Sequence, residues 1–265
     1  MSRNEAENRH TGRGPVFSES SDPPSSQNLS GVQVPPAAPR APGPRPPERP
    51  AADDDRSRPA LARAYGRLAP LYDRLVPLVS SRARGLGCRW LGVRNGERVL
   101  DVGTGTGLAL APLVAANPTG WTEGVDASPS MLARARRRMR RVGGRRYRLR
   151  RGDAAALPYP DDAFDAIFSG YVVDVLPAPT IPRVLRELRR VLREDGRLVL
   201  VYWAPPRRPL EHLWAALARR VPLLFGGGRP LDLRPALRRR GFAVRRSTTR
   251  SQLGLRSGVV RAAPA

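Results

Sequence analysis

The sequence predicts an α/β fold: a mostly parallel sheet with helices on both faces and an antiparallel strand at its edge. Three observations carry this. Between residues 97 and 203, short apolar runs alternate with segments of helical periodicity, which is the pattern of a parallel sheet covered on both sides. Three glycines at alternate positions, Gly103, Gly105 and Gly107, stand directly behind the first apolar run. The last two apolar runs have no helix between them and so are expected to pair antiparallel.

The elements follow in order. Residues 1–58 contain clusters such as "SESSDPPSSQ" and "PPAAPRAPGPRPPERP" and lack either periodicity, so a disordered tail is expected there. Residues 59–265 read as one domain. Its opening, 59–95, is a leading helical cap with Leu61, Tyr65, Leu68, Leu71, Tyr72 and Leu75 at helical spacing, bent or broken at Pro70 and Pro77. "ERVLDVG" (97–103) is a strand, 107–116 a helix and "TEGVDA" (122–127) a second strand. Ser128 is an N-cap with Pro129 behind it. The helix they open carries Met131, Leu132, Ala135, Met139 and Val142 as its apolar stripe and ends at Gly143 and Gly144. "RYRLRRGD" (146–153) and "FDAIFSG" (164–170) are strands. A helix at about 180–193 buries Val184, Leu185, Leu188, Val191 and Leu192, and "GRLVLVYW" (196–203) is the next strand. "GFAVRRSTTR" and "GLRSGVVRA" form the antiparallel pair.

The 265 residues suffice for a substantial core. The one cysteine, Cys88, excludes internal disulfides and a cysteine-based metal cluster, and no metal site is expected. No apolar stretch approaches the roughly 18 residues of a membrane span, and no secretory signal core is present, so a cytoplasmic protein is expected. A formal charge of +24 would suit nucleic acid or the surface of an anionic membrane. All 47 basic residues are arginine, however, among abundant alanine, glycine and proline. A GC-rich coding sequence gives that composition whatever the function, which weakens the charge as a signal.

The glycine turn does not fit two common ligands. A dinucleotide fingerprint, G-x-G-x-x-G, would need its final glycine where Leu108 or Leu110 stands, and a P-loop needs a lysine that the chain lacks. The carboxylates point elsewhere. Asp101, Asp126 and Asp153 close three successive strands, where they would repel a pyrophosphate but suit a nucleoside carrying ammonium and sulfonium charges, whose ribose and amino groups are donors. S-adenosylmethionine is such a molecule.

Residues 60–263 resemble a class I S-adenosylmethionine-dependent methyltransferase, with "VLDVGTGTG", "GVDASPSMLARAR", "GDAAALPYPDDAFDAIFSGYVVDVL" and "LRELRRVLREDGRLVLV" in family order. "YGRLAPLYDRLVPL" and "LPYPDDAFDAI" are most similar to the ubiquinone and menaquinone biosynthesis branch. The resemblance implies a Rossmann-like seven-stranded sheet and S-adenosyl-L-methionine as cofactor. It implies that Asp101 and the turn Gly103, Thr104, Gly105 and Gly107 hold the methionine part. Asp126, with Ala127 beside it, would bind the ribose, and Met131 would lean on the adenine. Asp153 and the Ala154 backbone would meet the adenine amino edge. Ser169 completes the set, and Tyr65 and Tyr72 lie on the leading helix that closes over the cofactor in such enzymes.

Methyl transfer from a sulfonium needs a base only if the acceptor must lose a proton, as a phenol or quinol must. The candidates are Tyr171 and Asp174 in "SGYVVDVL" and His212 in "RPLEHLWAAL". The family often has histidine where Asp174 stands. Residues 204–240, rich in Leu, Trp and Phe, are expected to form a lid over a small-molecule acceptor, quinone-like or lipid-like, with Gly226 to Gly228 as its hinge. An RNA or ribosome-associated methyltransferase is the alternative, and a non-catalytic interaction module the second. Against nucleic acid, the chain lacks an Asn/Asp-Pro-Pro-aromatic block after the fourth strand. Cys88 precedes the first strand, and the arginine run at 134–151 falls on a helix and a strand beside the sheet.

Overall fold

The computed structural model describes residues 80–143, 146–220 and 228–265, the side chains of residues 218 and 219 excepted. The expected tail, the first part of the leading cap with Tyr65 and Tyr72, and Gly226 and Gly227 lie outside the described residues.

A helix over 80–91 (α1) leads into β1 (Arg98–Val102), α2 (Leu110–Ala115), β2 (Trp121–Asp126), α3 (Pro129–Val142) and β3 (Tyr147–Arg151). Next come β4 (Phe164–Gly170), a short 3-10 turn, α4 (Ile181–Val191), β5 (Leu192–Trp203), α5 (Pro209–Arg220), α6 (Arg234–Arg238), β6 (Phe242–Gln252) and β7 (Leu255–Pro264). The seven strands form one sheet in the order β3-β2-β1-β4-β5-β7-β6. The first five pair in parallel, and β7 runs antiparallel between β5 and β6. The antiparallel pair is thus at the edge as expected, with the last strand of the chain inserted inside the one before it.

Both faces of the central strands are buried, and successive residues serve opposite faces. Leu100, Val102, Ile167, Leu198 and Leu200 pack with α4 and α6. Val99, Ala166, Phe168, Val199 and Val201 pack with α1 and with Leu113 of α2. Asp101 falls between Leu100 and Val102 and is buried.

Local chemistry sets the element ends. Ser128 caps α3 by accepting the Met131 N–H, Pro129 follows it, and Gly143 stops the helix in the left-handed conformation. Three expectations shift. The helix expected at 107–116 begins only at Leu110, because Gly105 and Gly107 hold positive φ, which no right-handed helix contains. Leu192 is buried as expected, but it has extended backbone and already belongs to β5. Val142 leaves the apolar stripe and is exposed, the buried face of α3 having ended one turn earlier at Met139.

Candidate active site

The strand order reverses at β1: β2 and β3 lie on one side of it, β4 and β5 on the other. In open α/β sheets the ligand crevice lies outside the carboxyl ends of the strands at such a point. The glycine turn stands there. Gly103 and Thr104 both donate their N–H to the Val125 carbonyl of β2, at 2.7 and 3.0 Å, and the Gly107 N–H closes on Thr104 O at 2.9 Å. Each glycine has its own reason. Gly103 (φ 68°) faces Val172, with whose side chain any Cβ would collide, and Gly107 (φ 80°) lies against Ala135 of α3. Gly105 (φ 55°) has only the Gly103 carbonyl near where a Cβ would stand, at 3.9 Å, so backbone is presented to open space.

Two carboxylates hold this turn. Thr104 Oγ1 donates to Asp101 Oδ2 at 2.7 Å. Burial pushes the Asp101 carboxyl up to about 7; the Thr104 hydroxyl acts against that, and nearby Asp126 adds to it. Asp126, half-buried at the end of β2, accepts the Gly105 N–H on Oδ2 and the Ser128 N–H on Oδ1, both at 2.8 Å. Burial raises its pKa as well, against the pull of these two bonds. Each carboxylate oxygen keeps a lone pair for a further donor. Met131 is buried at the start of α3, and Ala127 is exposed beside Asp126. Asp153 follows β3 in a tight turn, its Oδ1 accepting the Ala155 N–H at 2.9 Å, with Ala154 half-buried next to it. Ser169 is buried opposite Val102, where β1 and β4 end together.

One contributor was not anticipated. Most arginines of the 134–151 run are exposed, but the Arg138 Nε–H returns from α3 to the Thr106 carbonyl at 2.8 Å and ties the glycine turn to the helix. The run of arginines in the sequence hid the one that reaches the glycine turn.

Of the three acceptor-side candidates, Tyr171 and Asp174 follow β4 and His212 lies on α5. Tyr171 leaves β4 with φ 59°; its hydroxyl is 2.7 Å from Ser257 Oγ of β7, and the Arg84 guanidinium lies over its ring at 6.0 Å. It packs with the α1 side of the core. Asp174 follows three residues later, beyond the ends of β4 and β5. Its Oδ2 accepts the Trp203 N–H at 3.3 Å, and its backbone carbonyl accepts the Arg229 N–H at 2.9 Å. Burial pushes its carboxyl up to about 7, opposed by its own backbone N–H, by the Trp203 N–H and by the Arg229 guanidinium. Oδ1 of Asp174 and Nη2 of Arg229 are both buried without a hydrogen-bond partner. His212 is exposed on α5. Cys88, whose thiol burial pushes up to about 12, is unsuited to act as a nucleophile. Among the described residues there is no cluster of His, Cys, Asp or Glu that could hold a metal, and no helix long and apolar enough to cross a membrane.

A glycine turn and carboxylates at the switch point of a mostly parallel sheet define a cofactor-binding α/β protein. Comparison with known proteins makes the class specific. A family model described as a methyltransferase domain matches residues 99–196. Phosphatidylethanolamine N-methyltransferase of Cereibacter sphaeroides is 39% identical over 162 residues, 60% of this chain and 76% of that protein. Demethylmenaquinone methyltransferase of Tropheryma whipplei (strain Twist) is 40% identical over 152 residues, 56% of this chain and 61% of that protein. Magnesium protoporphyrin IX methyltransferase from Synechocystis PCC 6803, solved with bound SAH, shares the fold with a TM-score of 0.55 at 20% identity, covering 82% of this chain and 90% of that one. The chain belongs to the class I S-adenosylmethionine-dependent methyltransferases.

Proposed function

We propose that the chain transfers a methyl group to an apolar small molecule bearing an ionisable hydroxyl, quinol-like in character, and that Asp174 takes up the proton. The observation that carries this reading is the buried, unpartnered Oδ1 of Asp174 beyond the ends of β4 and β5, with the equally unpartnered Nη2 of Arg229 near it. A buried carboxylate oxygen and a buried guanidinium nitrogen left without partners suit a polar group of a ligand, since leaving either unmet is costly. The relatives named for demethylmenaquinone favour the same class.

Gly105, open to space, and Asp126, with lone pairs remaining on both oxygens, fit S-adenosylmethionine at the switch point. Asp126 would accept the ribose hydroxyls, and the Gly103–Gly107 turn with Asp101 the methionine end. Met131, the Asp153–Ala154 turn, Ala127 and Ser169 would border the adenosine. When bound, the cofactor supplies an electrophilic methyl on its sulfonium. The work of the protein is then to position the acceptor, keep water out and hold the acceptor oxygen ionised. Asp174 Oδ1 accepts the hydroxyl proton, and the Arg229 guanidinium offsets the negative charge that forms. With its carboxyl near 7, Asp174 is matched to base catalysis at neutral pH. The Trp203 N–H fixes its other oxygen and so aims Oδ1.

The test is methyl transfer from labelled S-adenosylmethionine to demethylmenaquinol, to phosphatidylethanolamine and to RNA. Labelling of the quinol, lost in Asp174→Asn, supports the reading. Labelling of phosphatidylethanolamine or RNA alone overturns it.

A further inference from the structure

The helix α5 has two contrasting faces. Ala215 packs on Trp203 of β5 with Leu255 of β7, and Glu211 is buried. On the outer side Leu210, Leu213 and Leu217 are 55%, 64% and 40% exposed. Their spacing of i, i+3 and i+7 puts them in one stripe. The turn between β6 and β7 extends this stripe. Gly254 is pressed against the Trp214 ring, a Cβ there would come within 3.1 Å of Leu210 Cγ, and the neighbouring Leu253 is 63% exposed with φ 48°. Single exposed leucines are ordinary, but four in one patch, one of them held out on a left-handed turn, are not.

Charge decides what the patch meets. Residues 204–220 and 242–265 contain one carboxylate, Glu211, and it is engaged inward: it accepts the N–H groups of Arg207 and Arg208 at 2.7 and 3.1 Å and the Ser251 hydroxyl. Arg207, Arg208 and Arg220 flank the leucines on α5, and Arg250 lies on the β6 arm of the hairpin, all exposed. A second copy of a chain carrying +24 would bring like charge against like. Nucleic acid offers nothing to the leucines. A surface that is apolar below and anionic at its boundary satisfies both features: leucines enter the acyl region while arginines meet the headgroup phosphates.

We infer that α5 and the β6–β7 turn form a docking face for an anionic lipid bilayer. Its position gives the contact a use. Trp203 pairs with Ser257, so the turn lies at the carboxyl end of β5, the same edge of the sheet as the glycine turn and Asp174. Docking there would bring the active-site edge to the bilayer surface.

The experiment is co-sedimentation of the full chain with phosphatidylcholine vesicles and with vesicles containing phosphatidylglycerol, at low and high salt. Binding to the anionic vesicles is expected, weakened by salt and at least about tenfold by L213E or L253E. Both leucines are mostly exposed, so the variants should melt and bind S-adenosylhomocysteine as the wild type does. Equal binding to zwitterionic vesicles, or no binding to either, would overturn the inference. So would binding that survives both leucine variants but is lost in R137E/R141E on α3, or a wild-type dimer that L213E converts to monomers without vesicle binding. None of these readings depends on which acceptor is methylated.

Discussion

The two halves of the carboxyl edge are built from different materials. Around β1 and β2 the site consists of backbone and short side chains: glycines with positive φ, amide N–H groups and two aspartates that hold them. Its contacts run within one β-α-β-α stretch of the chain, from Asp101 to Thr104, from Gly105 to Asp126 and from Arg138 to Thr106. Around β4, β5 and β7 the site consists of side chains brought from far apart, with Tyr171 meeting Ser257 and Asp174 meeting Trp203 and Arg229. The first half is constrained by chain geometry, which every ligand-binding copy must keep. The second is constrained only by packing, so it can change with the acceptor.

The largest effect is expected where the backbone site depends on one carboxylate. Asp126→Ala should weaken S-adenosylhomocysteine binding about 100-fold or more, since it removes both the support of the turn and the proposed acceptor of the ribose hydroxyls. Gly105→Leu should do the same by filling the open space. Calorimetry on variants with unchanged circular dichroism checks both.

Asp174→Asn separates the halves. Turnover should fall about 100-fold or more while cofactor affinity stays the same. If affinity fell with it, the division drawn between the two halves would be wrong. The wild-type rate should climb as pH rises through about 7, where the carboxyl ionises, and the variant should lack that step.

Stability adds an independent readout of the same residue. The Asp174 carboxyl keeps its proton to about 7 when folded but only to an ordinary aspartate value when unfolded, so the folded state binds the extra proton in between. The contribution of Asp174 to stability should therefore fall as pH rises from about 4 to about 7. Asp174→Asn should melt above wild type at about pH 8 and match it at about pH 4.

Smaller effects follow. Arg138→Met removes one charge-assisted bond to the glycine turn and should weaken cofactor binding about tenfold. His212→Ala, at an exposed position on α5, should leave stability and cofactor affinity within about twofold of wild type. A large loss of turnover in His212→Ala would move the base from Asp174 to α5.

The same contrast explains what the sequence revealed. Alternating apolar runs located every strand, and Ser128, Pro129 and Gly143 marked the ends of α3, because these signals are local. The glycine turn and its carboxylates were legible for the same reason. Arg138 was not, since nothing in a run of arginines distinguishes the one whose guanidinium reaches Thr106. Arg229 was missed because its relation to Asp174 exists only once β4 and β5 lie side by side. The exposure of Leu210, Leu213 and Leu217 was not legible either, since which face of α5 turns inward is set by the packing of Ala215 on Trp203 and by the burial of Glu211.

The most direct test of the central claim, that the glycine turn and Asp126 form a cofactor site, is a calorimetric titration of the full chain. Both S-adenosylmethionine and S-adenosylhomocysteine would be used, each at two salt concentrations. Saturable binding of both is expected, nearly insensitive to salt because the site is made of backbone, buried Asp101 and half-buried Asp126 rather than of the arginine surface. A folded chain that bound neither, or bound them only at low salt, would contradict it.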